Sequence, residues 1–162
     1  MKILDIVHDS IVDGIGLRIV IFFSGCPHKC KGCHNPQSWN INNGHYYTIN
    51  EVINEIKSNK IIQGITFSGG EPFYQQINEI IELAKILKNM NYNIWAYSGY
   101  SFEKIIKDKN KFKLLQYIDV LVDGKYIEKQ RDLTLKFKGS LNQRIIDVQQ
   151  SLKQNKIILW GG

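Results

Sequence analysis

The chain has 162 residues, 43% hydrophobic and 22% charged, enough for one ordinary core and short for two, because compact domains run to about 100–150 residues; residues 1–162 are read as a single domain. Its formal charge of +6 bears on association and not on fold, and Lys104, Lys107, Lys109, Lys111 and Lys113 look like one solvated face with no recognition motif beside it, so direct nucleic-acid binding is not expected. The longest apolar run, Ile19 to Phe23, is far short of the roughly 20 residues of a membrane span, and a start carrying Asp5 and Asp9 lacks the basic head and apolar core of a signal peptide; we expect no membrane association and a cytoplasmic location.

Residues Leu17 to Phe23 are apolar and partly β-branched, and read as a buried strand ending at Ser24-Gly25. Asp13-Gly14-Ile15-Gly16 ahead of it lacks the third glycine and preceding strand of a dinucleotide fingerprint and reads as a turn. Thr48 and Glu51 form a capping box, from which Val52, Ile53 and Ile56 repeat at helical spacing to about Asn59. Ile61 to Phe67 is the next strand candidate, stopped by Ser68-Gly69-Gly70-Glu71-Pro72; a helix marked by Ile77, Ile80, Ile81, Ala84 and Leu87 follows. Tyr92 to Tyr97 is a third strand closed by Ser98-Gly99, Ser101 caps a third helix, and Ile118 to Val122 is a fourth strand closed by Asp123-Gly124. Beyond it, Leu133 to Phe137 suggests a strand, Asp147 to Gln154 a helix, and Lys156 to Trp160 a last strand.

Such alternation predicts an α/β fold with parallel strands and right-handed helical crossovers. A complete eight-unit barrel needs about 250 residues, so the expectation is a partial, open (β/α) barrel: a mostly parallel sheet with helices on the outside. In such sheets the carboxyl ends of the strands share one rim. Four segments fall just beyond four successive strands: Cys26 to Cys33, Gly69 to Glu71, Tyr97 to Tyr100 and Asp123 to Lys125. They are expected to converge into one site.

All three cysteines lie within eight residues, spaced C-x3-C-x2-C, an odd count that cannot complete a disulfide framework and points to a metal site in a reducing compartment. Iron-sulfur clusters are held by thiolates at short spacings, ordinarily four for a four-iron cluster. With only three, a 4Fe-4S cubane keeps one iron open, which suits direct binding of a substrate. The alternative is zinc, with His34, His28 or His45 as fourth ligand. A redox pair of Cys30 and Cys33 would leave Cys26 unexplained.

The C-x3-C-x2-C loop after the first strand, joined to Ser68-Gly69-Gly70-Glu71-Pro72 after the second, resembles the radical S-adenosylmethionine superfamily. A closer resemblance spans most of the chain. Asp13-Gly14-Ile15-Gly16-Leu17-Arg18, Cys33-His34-Asn35-Pro36, Trp95-Ala96-Tyr97-Ser98-Gly99-Tyr100, Val120 to Lys125 and Gly139 to Arg144 are similar to the activating proteins of anaerobic ribonucleoside-triphosphate reductases. Pyruvate formate-lyase activases share the cysteine loop and His34-Asn35 but are similar over less of the length.

That resemblance implies a 4Fe-4S cluster on Cys26, Cys30 and Cys33, with S-adenosyl-L-methionine as co-substrate on the open iron. It further implies a glycyl radical made on the large catalytic subunit of anaerobic ribonucleoside-triphosphate reductase, with an external electron donor such as a flavodoxin. No catalytic side chain is needed beyond the cluster and its co-substrate. Gly69 and Gly70, with Glu71 beside them, are candidates to contact the co-substrate because glycine lets backbone approach a ligand closely, and Gly32, Cys33 and His34 are candidates at the cluster edge. Asp123 and Lys125 suit the methionine carboxylate or a counter-ion, although Asp-Gly is also an ordinary turn. Ser98 and Tyr97 are placed to flank the adenosine, and Trp95 to pack in the core. Gly139 to Arg144 reads as either a partner contact or a structural loop. Three rivals remain at this point: an activase of another glycyl-radical enzyme such as pyruvate formate-lyase, a zinc-binding module docking an acidic partner, and a radical enzyme acting on a small molecule.

Overall fold

The computed structural model describes residues 1–74 and 76–162. The strands are β1 (Lys2–Ser10), β2 (Arg18–Phe23), β3 (His45–Tyr46), β4 (Gly64–Gly69), β5 (Asn93–Ser98), β6 (Val120–Asp123) and β7 (Arg144–Asp147). The helices are α1 (Ile49–Lys57), α2 (Ile77–Asn89), α3 (Phe102–Lys107), α4 (Lys109–Leu115) and α5 (Val148–Gln154). All seven strands form one open sheet in the order β3-β1-β2-β4-β5-β6-β7. The centre, β2-β4-β5-β6, is parallel, and the β1-β2, β1-β3 and β6-β7 pairs are antiparallel. The sheet is therefore mixed where a mostly parallel one was expected.

Register explains the two faces, because side chains alternate along a strand. Ile19, Ile21 and Phe23 of β2, Ile65 and Phe67 of β4, Ile94 and Ala96 of β5 and Leu121 of β6 point to one side. There they meet Val52 and Ile56 of α1, Ile80, Leu83, Ala84 and Leu87 of α2, Ile105 of α3, Leu114 of α4 and Val148 of α5 in a single buried cluster. Helices α1, α3, α4 and α5 start where the sequence supplies a side-chain acceptor for their free N–H groups. Thr48 and Glu51 cap α1 reciprocally, Ser101 caps α3, Asp108 caps α4 and Asp147 caps α5.

Among the described residues no helix covers the opposite face. Trp95, Val120 and Val122 pack there under Tyr97, Phe137, Ile145 and Trp160, with Trp95 edge-on to Phe137 at 5.3 Å and to Trp160 at 5.0 Å between ring centroids. The buried Arg18 guanidinium stacks over Trp95 and donates to Thr66 Oγ1 (2.8 Å) and to the carbonyls of Ile15 (3.0 Å), Ile65 (2.8 Å) and Asn93 (3.1 Å). Burial lowers its pKa to about 10, and the carbonyl ring supplies the partners a buried charge requires. Gly14, at φ +128°, lies where a Cβ would strike Arg18 and Trp95 at 2.9 Å. The Asp13–Arg18 motif is thus a turn that pins its own arginine beneath it.

The structure departs from the sequence reading in four places. β1 pairs with β2 along most of its length; its mixed polar and apolar sequence hid it. Leu133 to Phe137 forms turns, with Leu133 83% exposed, because its alternation serves one inward residue, Phe137. Lys156 to Trp160 contributes a single bridge, Leu159 to Ile146, and folds back to deliver Trp160 to the open face. β4 also starts at Gly64, since Ile61 is 70% exposed. Among the described residues no helix is long and apolar enough to cross a membrane.

Candidate metal and cofactor site

β2 ends at Phe23, and the chain leaves it into the cysteine loop held at both shoulders. Gly25 N donates to Ser38 O (2.6 Å) and Cys26 N to Trp39 O (3.2 Å), which ties the start of the loop to the 3-10 turn Pro36–Ser38 behind it. Cys33 N donates to Cys30 O (3.1 Å), and Lys29 and Gly32 adopt positive φ. Gly32 is exposed and turns against Glu128, where a Cβ would meet the carboxylate at 2.9 Å. All three thiols are free and half-buried, and burial pushes those of Cys26 and Cys30 upward. A metal must therefore displace protons to bind them.

The glycine loop lies directly alongside. Gly69 (φ +97°) is packed so that a Cβ would meet Phe23 backbone at 2.5 Å, and a Cβ on Gly70 would meet Gly25 O at 2.5 Å. Gly70 N donates to Phe23 O (2.8 Å) and Glu71 N to Gly25 O (2.9 Å). Part of the need for glycine is thus the close approach of this loop to the root of the cysteine loop.

Cys26, Cys30, Cys33, Gly69, Gly70, Ser98 and Tyr97 border one small hollow of about 140 Å³, together with His28, Trp39, Gly124, Tyr126 and Gln143. The predicted rim residues from four strand ends do meet. Some side chains face elsewhere. Glu71 is buried and its carboxylate is fully engaged within the protein: Oε1 accepts from Phe73 N (3.1 Å) and Ser98 Oγ (2.9 Å), and Oε2 from Gly99 N (2.8 Å) with His28 Nε2 at 2.7 Å. Asp123, also buried, accepts from Phe102 N (2.7 Å) and from Arg144 Nε and Nη2 (3.0 and 2.6 Å). Lys125 is exposed, and the exposed His34 leans on Tyr126 with ring centroids 5.3 Å apart.

The hollow opens into a cleft of about 390 Å³ that shares Cys33, Ser68, Tyr97, Tyr126 and Gln143 with it and continues past His34, Asn35, Asp13 and Val12 to Leu133, Leu135 and Phe137. Val12 and Leu133 are 69% and 83% exposed, beside exposed Ile11 and Ile15.

The donor set fits an iron-sulfur cluster. Thiolates are its ordinary ligands, and Trp39 carries the one buried side-chain N–H among the described residues that lacks a partner, on a residue bordering the hollow. No three His, Cys, Asp or Glu side chains among the described residues gather as a single ion would require. A cubane takes each thiolate on a different iron and needs no such common point. His28, a possible fourth zinc ligand, has Nε2 committed to Glu71, and His45 is exposed on β3.

Comparison with known proteins agrees. Residues 12–146 match the family of 4Fe-4S single cluster domains. The anaerobic ribonucleoside-triphosphate reductase-activating protein of Vibrio cholerae is 38% identical over 143 residues, 84% of this chain and 91% of that protein. Its namesake from bacteriophage T4 is 41% identical over 139 residues, 83% and 86% of the two chains, and that of Escherichia coli K12 is 34% identical over 141 residues, 83% and 90%. The chain belongs to the anaerobic ribonucleoside-triphosphate reductase-activating proteins.

Within this activating-protein fold, the sequence left the roles of several residues near the hollow undecided. Gln143 donates to Gly124 O (2.9 Å) and accepts from Gly139 N (2.8 Å) and Ser140 N (3.2 Å), and so staples the loop after β6. Arg144 bridges Asp123 and Glu103. Within the segment Gly139 to Arg144 these two side chains brace the rim, and Arg144 opens β7. Trp39 stands six residues beyond Cys33 and comes back beside Cys26 only because the intervening chain turns.

Proposed function

We propose that this activating protein is a radical S-adenosylmethionine enzyme, an oxidoreductase that makes a glycyl radical on the large subunit of an anaerobic ribonucleoside-triphosphate reductase. The observation that carries the reading is the meeting of three thiols and the Gly69-Gly70 loop around one hollow that continues into an exposed cleft. Cys26, Cys30 and Cys33 would hold the 4Fe-4S cluster and leave one iron for the methionine amino and carboxylate groups of S-adenosylmethionine. Bound there, the cluster would supply a single electron, drawn from an external donor, for the reductive cleavage of S-adenosylmethionine to methionine, and the hydrogen atom lost from a glycine α-carbon of the partner would leave in 5'-deoxyadenosine.

The protein's part is to position and to exclude. Gly69, Gly70 and Ser98 border the hollow as contacts for the co-substrate, and Cys33 and His34 lie at the step between hollow and cleft. Gly32 shapes the loop, and the exposed Lys125 is a counter-charge for the methionine carboxylate. Glu71 and Asp123 support the site from behind. The open sheet acts as a partial barrel whose uncovered side admits a segment of another protein; the apolar lip of Val12 and Leu133 receives the stretch bearing the glycine. Lys29, Lys31, Lys125 and Lys129, all exposed around the cysteine loop, suit an acidic one-electron donor such as a flavodoxin. Free thiols and a reduced cluster belong in a reducing compartment, the cytoplasm.

The test is anaerobic reconstitution with iron and sulfide, followed by addition of reductant and S-adenosylmethionine. Uptake of about four irons per chain, the number in the cubane, and formation of 5'-deoxyadenosine are expected. Zinc retention without iron uptake and without 5'-deoxyadenosine would defeat the reading.

A further inference from the structure

Glu71 belongs to the glycine loop, and its place in sequence suggests an acceptor for the ammonium of a bound amino acid. The geometry points to a different role, resting on the reading that the three cysteines hold a cluster. An ionised carboxylate has about four lone-pair sites. In Glu71 four neighbours occupy them: Phe73 N and Ser98 Oγ on Oε1, Gly99 N and His28 Nε2 on Oε2. The side chain of Glu71 is fully buried and that of His28 is 7% exposed. No acceptor capacity faces the hollow.

The four partners come from three segments of the rim. Phe73 follows the glycine loop, Ser98 and Gly99 form the exit of β5, and His28 sits in the cysteine loop between Cys26 and Cys30. The contact to His28 is enclosed on its other sides as well. Tyr100 packs edge-on against the imidazole with centroids 4.5 Å apart, and a Cβ on Gly99 would meet the ring at 2.4 Å. At its root the cysteine loop is held by backbone bonds, Gly25 O accepting from Glu71 N while Gly25 N and Cys26 N donate to Ser38 O and Trp39 O. His28 ties the stretch between Cys26 and Cys30 to the rim.

We propose that Glu71 is a positioning residue, which through His28 fixes the cysteine loop against the β5 exit and does not itself contact S-adenosylmethionine. Glutamine at 71 keeps one acceptor oxygen but turns an NH₂ toward two N–H donors. Phenylalanine at 28 keeps the ring contact with Tyr100 but removes the hydrogen bond. Glutamine at 28 retains an N–H that reaches toward Glu71.

The measurement is the half-life of the reconstituted cluster against an iron chelator, read by absorbance, alongside the change that S-adenosylmethionine makes to the electron paramagnetic resonance of the reduced cluster. Charge-assisted hydrogen bonds of this kind predict that Glu71→Gln and His28→Phe each shorten the half-life about tenfold. Residues acting as one unit couple strongly, so the double variant should be no worse than the poorer single one. His28→Gln should stay within about threefold of the wild type, and His28→Phe carries the test should Glu71→Gln fold poorly. The fraction still loaded should keep the spectroscopic response to S-adenosylmethionine and its KM. The proposal is overturned if Glu71→Gln raises that KM tenfold with an unchanged cluster half-life, or if the Glu71 and His28 effects multiply. A wild type that binds no iron would sink the cluster reading and this one with it; a wild type that loads normally beside variants of equal half-life would sink this one alone.

Discussion

The two faces of the sheet are held by different means. On the helical face, Ile21, Phe67 and Leu121 meet helix residues in a continuous apolar layer, and stability there comes from area removed from water. On the open face a small aromatic group around Trp95 is surrounded by polar staples: Arg18 under the Asp13 turn, Gln143 on Gly124, Arg144 on Asp123. Staples fix loops without filling the space between them. A helix over this face would bury the cleft that leads from Cys33 to Leu133, so the site exists because half of the sheet was left to be held by hydrogen bonds.

That contrast breaks most sharply at the cysteines. Replacing Cys26, Cys30 or Cys33 singly by Ala should abolish cluster loading and any partner radical, while circular dichroism and thermal unfolding of the apo protein stay near the wild type, since these half-buried thiols carry little of the core. On the helical face, Phe67→Ala should cost about 3–5 kcal/mol in urea unfolding. On the open face, Arg144→Ala leaves the carboxylate of Asp123 buried without its cation, and a loss of about 1–3 kcal/mol is expected; a cost matching that of Phe67→Ala would erase the distinction.

Acid sharpens it further. The Arg144 guanidinium, hydrogen-bonded to Glu103, holds that carboxyl down at about 2, below its ordinary value of roughly 4.3. A depressed folded pKa stabilises the fold fully above the ordinary value, and the contribution fades as pH falls from there toward 2. Unfolding followed between pH 5 and pH 2 should show a smaller loss in Arg144→Ala than in the wild type. The smallest effect on stability belongs to Leu133→Ser: being exposed, it should shift unfolding by no more than about 0.5 kcal/mol, yet reduce radical formation on the partner while leaving 5'-deoxyadenosine formation without the partner intact. Equal loss of both would remove the cleft from partner binding.

The same contrast marks what the sequence could tell. Helices and central strands were legible because Val52, Ile53 and Ile56, or Ile80, Ala84 and Leu87, repeat at the period of the element that buries them, and because Thr48 and Ser101 announce helix starts. The cysteine and glycine loops were legible as motifs at strand ends. The staples were not, because Arg18 to Asn93, Gln143 to Gly124 and Glu71 to His28 join residues 19 to 75 positions apart with no periodicity between them. Ser98 and Asp123 end β5 and β6 and Glu71 follows β4, but sequence says which end of a strand a carboxylate occupies and not which donors surround it.

The central claim is that Cys26, Cys30 and Cys33 hold a cluster that serves a glycine on another protein. Its most direct test is electron paramagnetic resonance of an anaerobic mixture of the reconstituted protein, S-adenosylmethionine, a reductant and the large subunit of its reductase. A glycyl radical signal that requires every component and disappears with Cys30→Ala is the predicted result; full iron loading and 5'-deoxyadenosine formation with no glycyl signal on that subunit would contradict the account.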